Sequence, residues 1–96
     1  MARESVFERK LNQQLSEIFP GSIILKVYPF IQGTPDRLML FENTWAAYEV
    51  KRSGIATFRP NQQHYVSLLN SMSFAQWVYP EREKEFLHDI QRALQP

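Results

Sequence analysis

The chain of 96 residues carries 11 Lys and Arg against ten Asp and Glu, so its formal net charge at pH 7 is only +1. A chain of this length has room for one hydrophobic core, and its 44% hydrophobic and 22% charged residues argue against intrinsic disorder. The absence of cysteine excludes disulfides, thiolate nucleophiles and cysteine-based zinc sites, whereas carboxylates still allow a hard cation such as Mg²⁺.

The first predicted element is an amphipathic helix from Ala2 to Phe19, which Pro20 and Gly21 end. Its apolar residues recur at intervals of three and four, as one buried helix face requires: Phe7, Leu11, Leu15 and Ile18. The run 22–30 (SIILKVYPF) is rich in β-branched and aromatic residues and predicts a strand. Pro29 places that strand at the edge of a sheet or close to its own end.

Two short strands are predicted next, from Asp36 to Phe41 and from Thr44 to Lys51. Only Glu42 and Asn43 separate them, a connection of hairpin length. The two strands are therefore expected to pair antiparallel.

The remainder alternates loop, helix, strand and helix. Residues 52–59 are polar and include Gly54, so they predict a loop, and Pro60 fits the first turn of a following helix. One side of that helix carries Tyr65, Val66, Leu69 and Met72. A strand over 74–79 and a helix over 81–94 complete an α-β-β-β-α-β-α order. This order predicts one α/β (α+β) domain over 1–96, with a mixed sheet flanked by helices.

The most informative pattern joins a turn to the two central strands. Gly33-Thr34-Pro35 leads into Asp36, and Glu49-Val50-Lys51 follows after twelve intervening residues. Side chains alternate along a strand, so Glu49 and Lys51 share one face and Val50 takes the other. A hairpin of this length can bring the Asp36 carboxylate across from Glu49, which places two acids and one lysine around a small volume.

Such a set suits the hydrolysis of a phosphodiester. The attacking water must lose a proton near neutral pH, and the developing negative charge must be stabilised. Carboxylates can gather Mg²⁺ for both tasks, and Lys51 can orient the water or neutralise the phosphate. The Val50 carbonyl can add an uncharged ligand.

At this point the sequence resembles a known family. The residues T-P-D at 34–36 and Y-E-V-K at 48–51 resemble the signature of the PD-(D/E)XK nuclease superfamily, and the element order is similar to its restriction-endonuclease-like core. The segment 7–11 (FERKL) resembles the first-helix glutamate region of archaeal Holliday-junction resolvases and of the phage endonuclease I group. The short chain and Gln62 also resemble VRR-NUC domains.

The resemblance implies roles for individual residues. Asp36 and Glu49 would bind Mg²⁺ or Mn²⁺, Lys51 would position the nucleophilic water, and Glu8 would complete the metal shell. Gln62 would support the site or a phosphate. Helical geometry does not separate Glu8 from Glu4, which remains a second candidate for the helix ligand.

Each of these residues also has an ordinary interpretation. A Pro-Asp pair is usually a turn, a Glu-x-Lys on a strand is usually a surface pair, and Glu8 or Gln62 can simply decorate a helix. The candidates for contacts with DNA phosphates are equally compatible with surface charge: Lys26, Arg37, Arg52 and Arg59. The aromatic residues Phe41, Trp45, Trp77 and Tyr79 are interpreted mainly as core packing, and His64 and His88 receive no catalytic role.

The sequence hypothesis is a Mg²⁺- or Mn²⁺-dependent DNA endonuclease that acts on branched or structured DNA such as a Holliday junction. If Glu8, Asp36 and Glu49 bind metal, seven acids remain against 11 bases, a surplus suited to phosphate contacts. Paired incision would favour a homodimer. The alternatives are a monomeric VRR-NUC-type nicking nuclease and a non-catalytic DNA-binding or assembly module.

No run of about 18 apolar residues exists, and the first ten residues, MARESVFERK, are charged where a secretory signal would be apolar. The expectation is a protein without a membrane partner, located in the cytoplasm, or in the host cytoplasm if it is encoded by a phage.

Overall fold

The computed structural model describes residues 5–28 and 30–96, which form three α-helices and one four-stranded sheet. In chain order these are α1 (Val6–Ile18), β1 (Ile23–Lys26), β2 (Arg37–Phe41), β3 (Thr44–Val50), α2 (Gln62–Met72), β4 (Phe74–Val78) and α3 (Glu83–Leu94). The predicted element order and mixed α/β class are confirmed. Within the described residues, no helix has the length and apolar character needed to cross a bilayer.

The strands lie in the order β1-β2-β3-β4, so the sheet follows the chain. The first two pairings are antiparallel and the last, β3 with β4, is parallel. The predicted hairpin joins β2 to β3, and Glu42 adopts a positive φ of 54° in its two-residue turn. A parallel pair needs a crossover, which α2 supplies. The sheet is therefore mixed, and β1 is an edge strand, as predicted.

The two faces of the sheet are covered differently. On one face, α1 and α3 enclose the main core, which includes Leu11, Leu15, Phe19, Met39, Tyr48, Phe86 and Ile90. The other face packs against α2 in a smaller cluster that includes Val66, Ala47 and Ala75. Successive strand residues alternate between these faces. Glu49 and Lys51 therefore project toward α2, whereas Val50 projects toward the main core.

Several predicted boundaries differ from the structure. The first helix begins at Val6, capped by the Ser5 hydroxyl, and residues 2–4 of its predicted range lie outside the described residues. β1 is much shorter than the predicted strand over 22–30, because the chain leaves the sheet after Lys26; Pro29 lies outside the described residues. The last helix begins at Glu83, after a 3-10 turn over Pro80–Arg82.

The second helix also starts later than predicted. It begins at Gln62, and Asn61 takes the N-cap position with a φ of 66°, so Pro60 lies outside the helix instead of in its first turn. Met72, expected on the buried side, is exposed because it lies at the last helical position, beyond the part of α2 that packs on the sheet. Val66 is the apolar residue of this helix that is fully buried.

Candidate functional site

The hairpin register sets Asp36 and Glu49 opposite each other. Arg37 pairs with Tyr48, so the same register continued by one residue places Asp36 across from Glu49. The Asp36 backbone N–H donates to Glu49 Oε1 at 3.3 Å. The arrangement expected from the spacing of the two motifs is therefore present, and both carboxylates lie where β2 begins and β3 ends.

Glu49 is a buried carboxylate whose negative charge is only partly balanced by neighbouring cations. Only 5% of the residue is exposed. Burial raises the pKa of Glu49, and the charge of Asp36 raises it further. Opposing this, the guanidinium of Arg59 lies 3.1 Å from Glu49 Oε2, and Lys51 also lowers the pKa. Because the Arg59 side chain is mostly exposed, solvent screens this ion pair and weakens it.

Lys51 is held in place by three groups of the segment that follows it. Its Nζ donates to Gln62 Oε1 at 2.6 Å and to the Thr57 carbonyl at 3.3 Å. The same Nζ lies 5.2 Å from the centre of the Phe58 ring. Burial lowers the pKa of Lys51, although Glu49 acts against this shift. The lysine ammonium is therefore fixed beside Glu49.

Gln62 holds both Lys51 and the loop before α2. Its Oε1 accepts from Lys51 and from the Arg59 backbone N–H at 3.1 Å. The side chain is almost fully buried, and within the described residues its Nε2 has no hydrogen-bond partner. The position expected for Gln62, next to the candidate site, agrees with the structure.

Glu8 lies on the other side of Arg37. The Arg37 guanidinium pairs with the Glu8 carboxylate and with Asp36 Oδ2, the latter at 3.1 Å. Burial acts against its charge, but the hydrogen bond with Glu8 and the charge of Asp36 together raise the pKa of Arg37. Arg37 therefore separates Glu8 from the Asp36–Glu49 pair.

A cleft of about 370 Å³ opens at the start of α1, on the side of β3 opposite to the one toward which Glu49 projects. Its lining includes Glu8, Val50, Lys51 and Arg52. The cleft therefore brings the end of β3 next to the glutamate expected from the first helix. It gives a small ligand access to Val50 and Lys51 from the α1 side.

The donor set fits a small, hard cation held by two carboxylates. Mg²⁺ is commonly bound in proteins by one or two carboxylates, with water and substrate phosphate completing the shell. Asp36 and Glu49 offer such a pair, and a cation between them would relieve the cost of burying Glu49. Within residues 5–28 and 30–96, no three acidic or histidine side chains converge on one point. Glu8 is directed to Arg37 instead.

The predicted phosphate contacts divide into two groups. Lys26 and Arg52 are exposed, and the Arg59 side chain is exposed although it pairs with Glu49. Arg37 does not fit the prediction of a surface contact, because it is only 7% exposed and is neutralised by two carboxylates. Glu4, the alternative to Glu8, lies outside the described residues.

Two parts of the site were missed by reasoning from the sequence. One is the burial of Arg37, which the sequence offers as a phosphate contact or an ordinary surface charge, although its position inside a strand of apolar residues indicates burial on one face. Phe58 and the Thr57 carbonyl contact Lys51, and no local pattern singles them out because residues 52–59 read only as a polar loop.

No protein-family model, curated protein or solved structure matches this chain.

Proposed function

We propose that this protein is a metal-dependent endonuclease that hydrolyses phosphodiester bonds in DNA, with branched or otherwise structured DNA as its substrate. One observation carries the proposal. Asp36 and Glu49 lie opposite each other across the hairpin, and Lys51 extends from the same face beside Glu49.

The two carboxylates would hold Mg²⁺ or Mn²⁺, and the Val50 carbonyl at the end of β3 would add an uncharged oxygen. The ion, when bound, supplies a water of lowered pKa and positive charge against the phosphate. The Asp36–Glu49 register fixes the spacing of the two acids before any ligand binds. This preorganisation is useful because no rearrangement is then required at the moment of reaction.

Lys51 is suited to act on the phosphate or on the attacking water. An ammonium has three N–H donors, and two of them go to Gln62 and the Thr57 carbonyl. Within the described residues this leaves one donor for a ligand oxygen. Because Gln62 and Thr57 fix the side chain, that donor has a set direction.

The structure supports a smaller ligand set than the resemblance implies. Glu8 is engaged by buried Arg37, so we propose Asp36 and Glu49 as the metal-binding acids and Glu8 as the group that fixes Arg37. Arg37 in turn orients Asp36 through its second contact. Arg59 would leave Glu49 for a DNA phosphate when the metal binds.

The test uses purified protein with supercoiled plasmid and with a four-way junction, in Mg²⁺, Mn²⁺ or EDTA. Wild type is expected to cut in either metal and not in EDTA. Asp36→Asn is expected to lose cleavage by more than about a thousandfold, since it removes a carboxylate ligand while preserving side-chain shape. Glu17→Gln is the matched control, because Glu17 is an exposed acid far along α1. Symmetric paired incisions would indicate a dimer, and single nicks a monomer.

Equal cleavage by wild type and Asp36→Asn would show that the activity comes from another site or a contaminant. Intact substrates under conditions where the protein binds DNA would contradict the proposed nuclease activity itself. They would favour a second candidate function, a non-catalytic DNA-binding module. The observation in favour of that candidate is that Arg37 and Arg59 already neutralise the carboxylates.

A further inference from the structure

Two loops border the candidate site, and each carries apolar side chains directed into solvent. The first loop joins β1 to β2 and the second joins β3 to α2. In the first, Tyr28 is 85% exposed, Phe30 is fully exposed and Ile31 is half-exposed. In the second, Ile55 is 93% exposed. We call these four residues the apolar loop tips.

Both loops are anchored directly to the site. The first loop begins where the Val27 N–H donates to the Asp36 carbonyl at 2.9 Å. In the second loop, Thr57 accepts from Lys51, and Arg59 pairs with Glu49. Along the chain, Ile31 precedes Asp36 by five residues and Ile55 follows Lys51 by four.

The loops also contact each other. A Cβ at Gly33 would lie 2.7 Å from the Asn61 carbonyl carbon, so only glycine allows this approach, and its φ of +99° also favours glycine. On the second loop, the Phe58 ring packs edge-on against Trp77 at 4.7 Å. The two loops are thus held against each other and against Trp77, and the tips project from loops that are fixed in this way.

Cationic side chains accompany the tips. Arg52 and Arg59 lie on either side of Ile55 in the second loop, and Lys26 ends the strand before Tyr28; all three are exposed. Basic groups beside apolar ones, two of them aromatic, favour a single-stranded nucleic acid, whose backbone takes the charges while its bases stack on the aromatic rings and contact the aliphatic groups. Lysine is depleted from protein–protein interfaces, so Lys26 beside Tyr28 disfavours a second protein copy as the occupant.

We infer that the apolar loop tips contact unpaired bases next to the phosphate that is cut, Tyr28 and Phe30 by stacking and Ile31 and Ile55 by apolar contact, so DNA with unpaired bases is preferred over continuous or fully paired duplex. This inference rests on the proposed function and names the substrate class of that same site. In paired DNA the base faces are already stacked on their neighbours, so Phe30 and Ile55 find nothing to contact. At a bubble, gap or splayed branch the base faces are free.

Binding in EDTA tests the inference separately from cleavage. The probes are a continuous duplex, a fully paired four-way junction and the same duplex with a central unpaired bubble containing 2-aminopurine. Wild type is expected to bind the bubble about tenfold more tightly than the duplex or the junction. Phe30→Ser and Ile55→Ser are each expected to weaken bubble binding about tenfold, with less than a twofold effect on the duplex. Met72→Ser, an exposed apolar residue at the end of α2, is the matched control.

Stacking has its own signature, since quenching of 2-aminopurine on binding should be reduced by Phe30→Ser and unchanged by Met72→Ser. Equal binding of all three probes by wild type would overturn the inference, and so would variants that weaken duplex and bubble alike. A fall in mass from dimer to monomer in Phe30→Ser would assign the tips to self-association instead. Bubble preference without cleavage would end the proposed function and leave this inference standing, whereas cleavage independent of the tips would do the reverse.

Discussion

The two faces of the sheet are built for different purposes. The face toward α1 and α3 is closed by large apolar side chains such as Phe86 and Ile90, and the buried cation Arg37 pairs with two carboxylates. The face toward α2 has a smaller apolar cluster and keeps Glu49 and Lys51 partly buried without full compensation. From this difference we expect the first face to contribute most of the stability, whereas the proposed chemistry belongs to the second.

The largest effect on stability is expected from removing a large apolar side chain from the core between the sheet and helices α1 and α3. Phe86 is fully buried and contacts the rings of Tyr48 and Phe74. Phe86→Ala should lower the free energy of unfolding by about 3–5 kcal/mol, because it removes apolar contact and leaves a cavity. Urea unfolding measures this loss, and cleavage per folded molecule should remain at the wild-type level. A specific loss of turnover in the folded fraction would contradict the division between the faces.

A substitution of Lys51 should lower turnover instead of the free energy of unfolding. Lys51→Met removes the ammonium from the α2 face while keeping much of the side-chain volume. We expect kcat to fall about 10²–10³-fold, which is about 2.7–4 kcal/mol, as when one group that stabilises developing charge is deleted. Affinity for Mn²⁺, followed by calorimetry, should change much less. A loss confined to metal affinity would show that Lys51 does not act on phosphate or water.

Glu8 tests whether an acid on α1 contributes to the stability of the fold or to metal binding. If Glu8 serves to pair with buried Arg37, Glu8→Gln should destabilise the fold by about 1.5–3 kcal/mol, the range for a hydrogen bond to a charged group. Mn²⁺ affinity should then be nearly unchanged. A marked drop in affinity with little change in stability would instead make Glu8 a metal ligand. Glu17→Gln, on the same helix but exposed, controls for the loss of an acid.

The smallest effect concerns the dependence of stability on pH. Burial and the charge of Asp36 raise the pKa of Glu49 above the ordinary value of 4.5, although Arg59 and Lys51 partly offset this. The folded protein therefore binds this proton more tightly than the unfolded chain does. The ionised side chain lowers stability above the folded-state pKa, and this penalty disappears as the pH falls toward 4.5.

Glu49→Gln should accordingly be more stable than wild type at pH 8, and the difference should shrink toward pH 4.5. Urea unfolding at several pH values, without metal, measures it. A difference that grows on acidification would mean that the ionised Glu49 stabilises the fold. The expected result would show that the ionised Glu49 carboxylate on the α2 face lowers the free energy of unfolding.

The sequence predicted much of the scaffold because the relevant signals are local. Periodicity located the helices, and the two-residue turn at Glu42 and Asn43 set the register that brings Asp36 opposite Glu49. The prediction from sequence was wrong where a segment has the composition of a strand but does not pair in the sheet. Residues 22–30 have strand composition throughout, yet β1 ends at Lys26, so Tyr28 and Phe30 were not recognised as loop residues.

The sequence by itself determined the order of elements, the hairpin, and the face shared by Glu49 and Lys51, since turn length and the two-residue alternation of strands fix these over short distances. Only the tertiary structure decided how the charges pair. Glu8 meets Arg37 across 29 positions, and Lys51 meets Gln62 across 11. Such contacts depend on how helices pack on the sheet, and burial then determines which carboxylate is fully compensated and which is not.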